Sequence, residues 1–287
     1  MWHIQRAFTF GLGLLGAMML AAAVAAAPAR ESHYLRTVLD RFFDIARLDF
    51  GTSSISGLRA VAVVGERLPA TLELMAAGAV VAFVVGIPLG ALLGRGRALR
   101  AAAPLLQLFA AAPVFCAGLG LLWLSAHVPD WSYASQPLAW SVFGEGGRAS
   151  LMALHALALP GLTVGAAGAA AVQLAVRRAE SEAIEEPYRQ GLKRLGLSSY
   201  EIDRLYLAPQ ILAGMLASFG EIVLALFSAT AVAELLFGWP GAAVLFLRSV
   251  ALHDWSVTAL VLLVFAAISL LADFCGMVAA RALGDLP

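Results

Sequence analysis

Few side chains in this sequence are set up for chemistry, and those few mark its limits. The only lysine, Lys193, stands in Leu192-Lys193-Arg194-Leu195-Gly196. A loop that cradles nucleotide phosphates has the form G-x-x-x-x-G-K-[ST], with glycine immediately before the lysine and a hydroxyl immediately after it. Neither flanks Lys193, so the chain carries no such loop. Ser228 and His155 are the residue types of a nucleophile and its base, yet no nucleophile motif surrounds either, and Ser269 has no better company. His3, His33, His127, His155 and His253 are scattered rather than set at ligand spacing, so no metal site is expected. Cys116 and Cys275 both fall in apolar stretches and read as small buried hydrophobes.

What remains is polarity in two places. Single polar residues punctuate the apolar stretches: Glu73, His155, Gln173, Glu221 and Asp273. An ionisable group at membrane depth is a functional hypothesis by default. Glu221 falls near the middle of its stretch, where it either lines a path or pairs with a polar group on a neighbouring helix. The other place is 177–209, the longest strongly charged run, which holds six of the nineteen Lys and Arg. Charges in hydrocarbon cost several kcal/mol each, roughly, so this run must project into water. It reads as two short helices. Tyr188 to Leu195 follows Pro187 as a helical run that Gly196 ends as its C′ residue. Ser198 and Glu201 then form a capping box that opens the next. A short helix held at the membrane surface by flanking spans is a docking device. Without a phosphate loop in the chain, any nucleotide hydrolysis coupled to it must occur in another chain.

The elements that position this elbow are membrane helices. Hydrophobic residues make up 61% of the 287 and charged ones 13%, about half the ~25% of a soluble domain. A net charge of zero gives no support to a nucleic-acid partner. A spanning helix needs ~20 mainly apolar residues, and six windows qualify: 7–28, 69–94, 101–126, 151–176, 211–233 and 255–280. The first also has the marks of a cleavable signal peptide; we take it as a signal-anchor helix. Pro69 suits the first turn of the second helix. Gly86, Pro88 and Gly90 should bend or thin that helix, and Gly161, Gly165 and Gly168 make a close-packing face on the fourth.

With both termini on the cytoplasmic side, eleven Lys and Arg lie inside and eight outside, six of those eight in 30–67. That outer segment holds an amphipathic helix starting from Ser32, with Leu35, Val38, Leu39, Phe42 and Ala46 on one face. After the fifth span comes Gly238-Trp239-Pro240-Gly241, a turn. The apolar run Ala242–Leu252 that follows is too brief to span, and reads as a short re-entrant or surface helix at the outer mouth.

Three stretches, in this order and among these spans, resemble the dipeptide/oligopeptide/nickel-type permeases of ATP-binding-cassette importers. The first is Leu48-Asp49-Phe50-Gly51 with 66–74 and Gly86-Ile87-Pro88-Leu89-Gly90; the second is Tyr188 to Pro209. The third is Glu234, Phe237, Trp239-Pro240-Gly241 and His253-Asp254-Trp255. The resemblance implies an import complex in the bacterial inner membrane, made of two permease chains (a heterodimer), two ATP-binding subunits and an outside substrate-binding protein. ATP and Mg would be held by the partner subunits, and this chain would hold no cofactor and be no enzyme. The family's coupling loop has an E-A-A-x-x-x-G pattern. Gly196 fits its glycine and Pro209 the proline that follows, but Gln190, Gly191 and Leu192 stand at the first three positions, so the acidic residue is missing.

The expected fold is an all-α polytopic membrane protein with six transmembrane helices, a cytoplasmic coupling helix and a short outer re-entrant helix. Residues 1–68 form the anchor and outer segment, and 69–287 a five-helix permease core. Tyr188, Gln190, Gly191, Leu192, Lys193, Leu195 and Gly196 are the expected joint to the ATPase. Glu221, Glu234, Trp239, Pro240, Gly241 and Asp254 are the expected path or outer gate. The expected cargo is a peptide or similar small polar solute. Metal chelates, an exporter on the same scaffold and, more remotely, a secondary transporter are the alternatives.

Overall fold

A backbone inside hydrocarbon has to satisfy its own N–H and C=O groups, so apolar runs of this length become helices. A computed structural model describes residues 2–28, 33–95, 113–127, 148–183 and 186–284. Its helices are α1 Trp2–Ala25, α2 Tyr34–Ala46, α3 Ala60–Arg95, α4 Val114–Ser125, α5 Arg148–Ala183, α6 Glu186–Arg194, α7 Ser199–Ile202, α8 Ala208–Ala217, α9 Phe219–Phe237, α10 Ala242–Ala251 and α11 Trp255–Gly284. No strand occurs among the described residues; one isolated bridge joins Thr52 and Arg59. Among the described residues five helices, α1, α3, α5, α9 and α11, are long and apolar enough to cross a membrane.

The bundle is built on a seam between α3 and α5. Gly78 faces Val164, and Gly165 faces Val81 and the Gly78 carbonyl. Farther along, Gly86 meets Ala169 and Val172, and Gly90 meets Val176. Each glycine receives a side chain of the opposite helix, which lets the two backbones approach as small residues do in bilayers. Residue numbers rise together along the seam, so α3 and α5 run parallel. Two parallel spans imply a return between them, and α4 lies in that interval with Gly118 packed on Thr163 and Leu236. The first part of the expected window 101–126 lies outside the described residues.

Helix α11 ties both ends of the chain together. Phe10 stacks on Phe274 at 5.3 Å between centroids, Gly13 meets Leu270, and Ala21 and Ala22 cluster with Ala259 and Leu263, so α1 is antiparallel to α11. Phe227 and Phe265 lie 5.0 Å apart, and Gly220 abuts Asp273, so α9 is antiparallel to α11 as well. The start of α1, the end of α11 and the charged elbow therefore share one end of the bundle. Helices α2 and α10 occupy the other.

Four expectations are corrected. The second helix begins at Ala60, so Pro69 lies inside it and not in its first turn. Burial of Ala60 and Val64 against Val257, Leu260 and Val261 extends the helix upstream, past the boundary drawn at 68/69. The window 211–233 is two helices, α8 and α9, broken at Ser218 (φ −93°, ψ 10°). There Gly276 admits the Leu216 carbonyl and Phe219, and the backbones cross too closely for one straight helix. The helix opened by Ser198 does not stay short. It passes through a π turn, Asp203–Leu207, into α8, because Pro209 has no N–H to continue the regular ladder. Cys116 and Cys275 are exposed, not buried. An apolar environment in a membrane chain includes the lipid face.

The seam is testable. Gly165→Ala puts a methyl group against Val81 and the Gly78 backbone and should cost about 1–3 kcal/mol in reversible unfolding from lipid-detergent micelles. Gly120→Ala, which meets open space, should be neutral or slightly stabilising.

Candidate coupling elbow and opposite mouth

The elbow is closed by a backbone motif. Gly196 has φ +89°, a conformation that a side chain would strain. Its N–H donates to the Lys193 carbonyl at 3.0 Å, and the Leu197 N–H donates to the Leu192 carbonyl at 3.3 Å. Those two bonds are the Schellman pair, which satisfies the last carbonyls of α6 and turns the chain sharply. Ser198 then caps α7. Its Oγ accepts the Glu201 N–H at 3.2 Å while its own N–H donates to the Glu201 carboxylate at 2.8 Å. The Ser198 hydroxyl and N–H together hold the Glu201 carboxyl below the usual range.

Burial sorts the elbow into anchors and free faces. Leu192 is 7% exposed and Ile202 fully buried, one on each side of the turn. Gln190, Lys193 and Gly196 are exposed, and Leu195 presents 80% of its surface. Tyr188 and Gly191 lie on α6 with them. An apolar Leu195 stands outward beside Lys193, just past the end of α6.

Glu221 is not at mid-depth. The break at Ser218 puts it in the first turn of α9, where its carboxylate takes the Arg178 guanidinium of α5 at 2.9 Å. Of the two readings open for this acid, pairing with a neighbouring helix is the one the geometry contains. Both side chains are more than half exposed, so the pair is worth less than about 1 kcal/mol.

At the opposite mouth, Glu234 and Trp239 are both fully buried. Glu234 Oε1 accepts the Thr71 hydroxyl at 2.6 Å, and Oε2 accepts the Ala243 and Val244 N–H groups at 2.9 and 3.0 Å. Thr71 Oγ1 in turn accepts the Ala242 N–H at 2.7 Å. A residue near the end of α9 thus caps α10 from below, with Thr71 of α3 as the bridge. Gly241 is fixed in identity because a Cβ there would strike the Glu234 carboxyl group. Gly238 (φ +63°) ends α9, and Trp239 Nε1 donates to the Ala70 carbonyl at 3.0 Å. Pro240 lies half-buried on the rim. Asp254, 2% exposed, accepts the Ser53 hydroxyl and the Ser54 N–H, fastening the loop before α3 to the start of α11.

Sequence reasoning assigned no role to Thr71, Ser53 or Arg178. A hydroxyl or a guanidinium becomes legible as a partner only when the helix facing it is known.

The elbow, and the α9–α11 side of the mouth, fall within one family match. Residues 86–285 match the model for the binding-protein-dependent transport system inner membrane component. The chain belongs to this family. It is 27% identical over 216 residues to the probable D,D-dipeptide transport system permease protein DdpB of Escherichia coli K12, covering 69% of this chain and 64% of that relative. It is 26% identical over 256 residues to the putrescine export system permease protein SapB of the same strain. The peptide transport system permease protein SapB of Escherichia coli O157:H7 matches at the same identity. These two alignments cover 82% of this chain and 76% of each relative. The chain is an all-α, multi-pass inner-membrane permease of the ATP-binding-cassette type.

The buried lock makes its own prediction. Thr71→Val removes one hydrogen bond from Glu234 and strands the Ala242 N–H, costing about 1–3 kcal/mol. Limited proteolysis in nanodiscs should then cut near 238–242 faster than in the parent protein, with α3–α5 fragments unchanged.

Proposed function

We propose that this permease works in an importer for peptides or similar small polar solutes, paired with a second, homologous permease chain. Energy comes from two ATP-binding subunits, which hold the ATP and Mg and seat on the elbow of α6 and α7. The elbow end is cytoplasmic, with the start of α1 and the end of α11 on the same side. The opposite mouth faces a substrate-binding protein that delivers the cargo. Family membership supports binding-protein dependence, and the names of two relatives support the peptide class.

The observation that carries the coupling role is the elbow's construction. Leu192 and Ile202 are buried on either side of the turn while Gln190, Lys193 and Leu195 face outward, and the Schellman bonds at Gly196 join the two short helices. A push on the exposed face is passed to the turn, and through α7 and the π turn to α8. Helix α8 packs by Gly214 on Ala179 of α5 and beside α11, so the push reaches two spans at once. Nucleotide binding by the partners then biases an equilibrium between inward and outward openings.

Export on the same scaffold is the second reading, favoured by the name of one relative. Uptake into proteoliposomes that requires an added binding protein supports import, whereas uptake independent of it supports export. For the coupling role itself, Leu192→Asp and Gly196→Val should leave the assembled transporter intact and still hydrolysing ATP while transport falls at least about tenfold. Undiminished transport in both variants would contradict the joint.

A further inference from the structure

A cavity of about 430 Å³ opens at the outer mouth between α3, the turn after α9, and α10. Trp239, Pro240, Val244 and Leu245 give it an apolar wall, and two arginines reach it from different helices: Arg67 of α3 and Arg248 in the last turn of α10. Among the described residues neither guanidinium makes a hydrogen bond or ion pair. One acid contributes to the wall, Glu234, and it is buried with both oxygens already taken by Thr71, Ala243 and Val244. Glu66, beside Arg67 in sequence, does not line the cavity.

Two unspent guanidiniums beside apolar surface are a receptor for a carboxylate on an apolar body. Arginine offers a planar fork of donors that matches a carboxylate oxygen pair, and its weak hydration lowers the cost of the exchange. A dication entering the same cavity meets two like charges, which disfavours it. The relatives' names divide between peptides and putrescine, and the cavity's two arginines favour the first of those chemistries.

We infer that this cavity is the first contact site for a short peptide, held by its C-terminal carboxylate between Arg67 and Arg248. The inference rests on the permease reading above and narrows its substrate class. Lodged here, the peptide touches the turn and the short helix that Glu234 holds in place, so cargo at the mouth bears on the lock between α3, α9 and α10.

The test is site-resolved modification of arginines by phenylglyoxal on the full chain in nanodiscs, read by mass spectrometry. Dialanine, its C-terminal amide and putrescine are the probes, and Arg36 and Arg47 on the outer helix serve as internal controls. Dialanine should protect Arg67 and Arg248 but not the controls, and the amide and putrescine should protect neither. In R67Q or R248Q, the dialanine concentration that half-protects the remaining arginine should rise about tenfold. Protection by putrescine, equal protection by the amide, or no protection by dialanine at millimolar concentration overturns the site. Peptide transport that persists in R67Q/R248Q at the parent half-saturation also overturns it while leaving the permease reading standing. Absence of any ATP-driven transport removes that reading instead.

Discussion

A carboxyl group closed away from water needs donors on its oxygens, and Glu234 obtains three from two other elements. That requirement fixes much of the mouth. Thr71 has to sit on α3 at the height of the end of α9, and α10 has to begin with its first N–H groups turned downward. Gly241 has to lack a side chain. Trp239 then fills the space beneath and spends its ring N–H on the Ala70 carbonyl. A short helix that cannot span is held at the surface by hydrogen bonds whose loss in a dry setting would cost about 1–3 kcal/mol each.

The seam of α3 and α5 links this mouth to the elbow. Glycine on one helix against valine on the other excludes slack, so the two move as one body along their contact. Helix α5 ends close to the elbow, and α8 returns from the elbow onto α5 and α11. The mouth and the elbow are thus opposite ends of a packed unit, and the fifth span breaks at Ser218 between α8 and α9.

Much of this was legible in the chain. Helix class followed from the apolar windows, the elbow's closure from Gly196 and the Ser198–Glu201 box, and the close helix contact from the glycine spacings on α3 and α5. The structure contains each of these. The illegible parts share a cause: they depend on which residue stands across from which. Glu221 read as a mid-depth acid because the break at Ser218 leaves no mark in an apolar run. Glu234 and Trp239 read as gate residues from their place at a turn, and the bonds that fasten them to Thr71 and Ala70 lay out of sight because those partners are more than 160 positions away. Cys116 and Cys275 read as buried because lipid and protein interior select the same residues. Thr71 passed unassigned because a single hydroxyl gains meaning only from the carboxyl group it meets.

The claim beneath all of this is that the exposed face of α6 is covered by a nucleotide-binding subunit and moves with it. The most direct measurement places a photo-crosslinking residue at Gln190 or Leu195 in the assembled transporter and identifies the crosslinked chain with and without nucleotide. The expected product joins both positions to the ATP-binding subunit, with a yield that changes when ATP is bound. Crosslinks to lipid or solvent alone, at both positions and in both states, would contradict it.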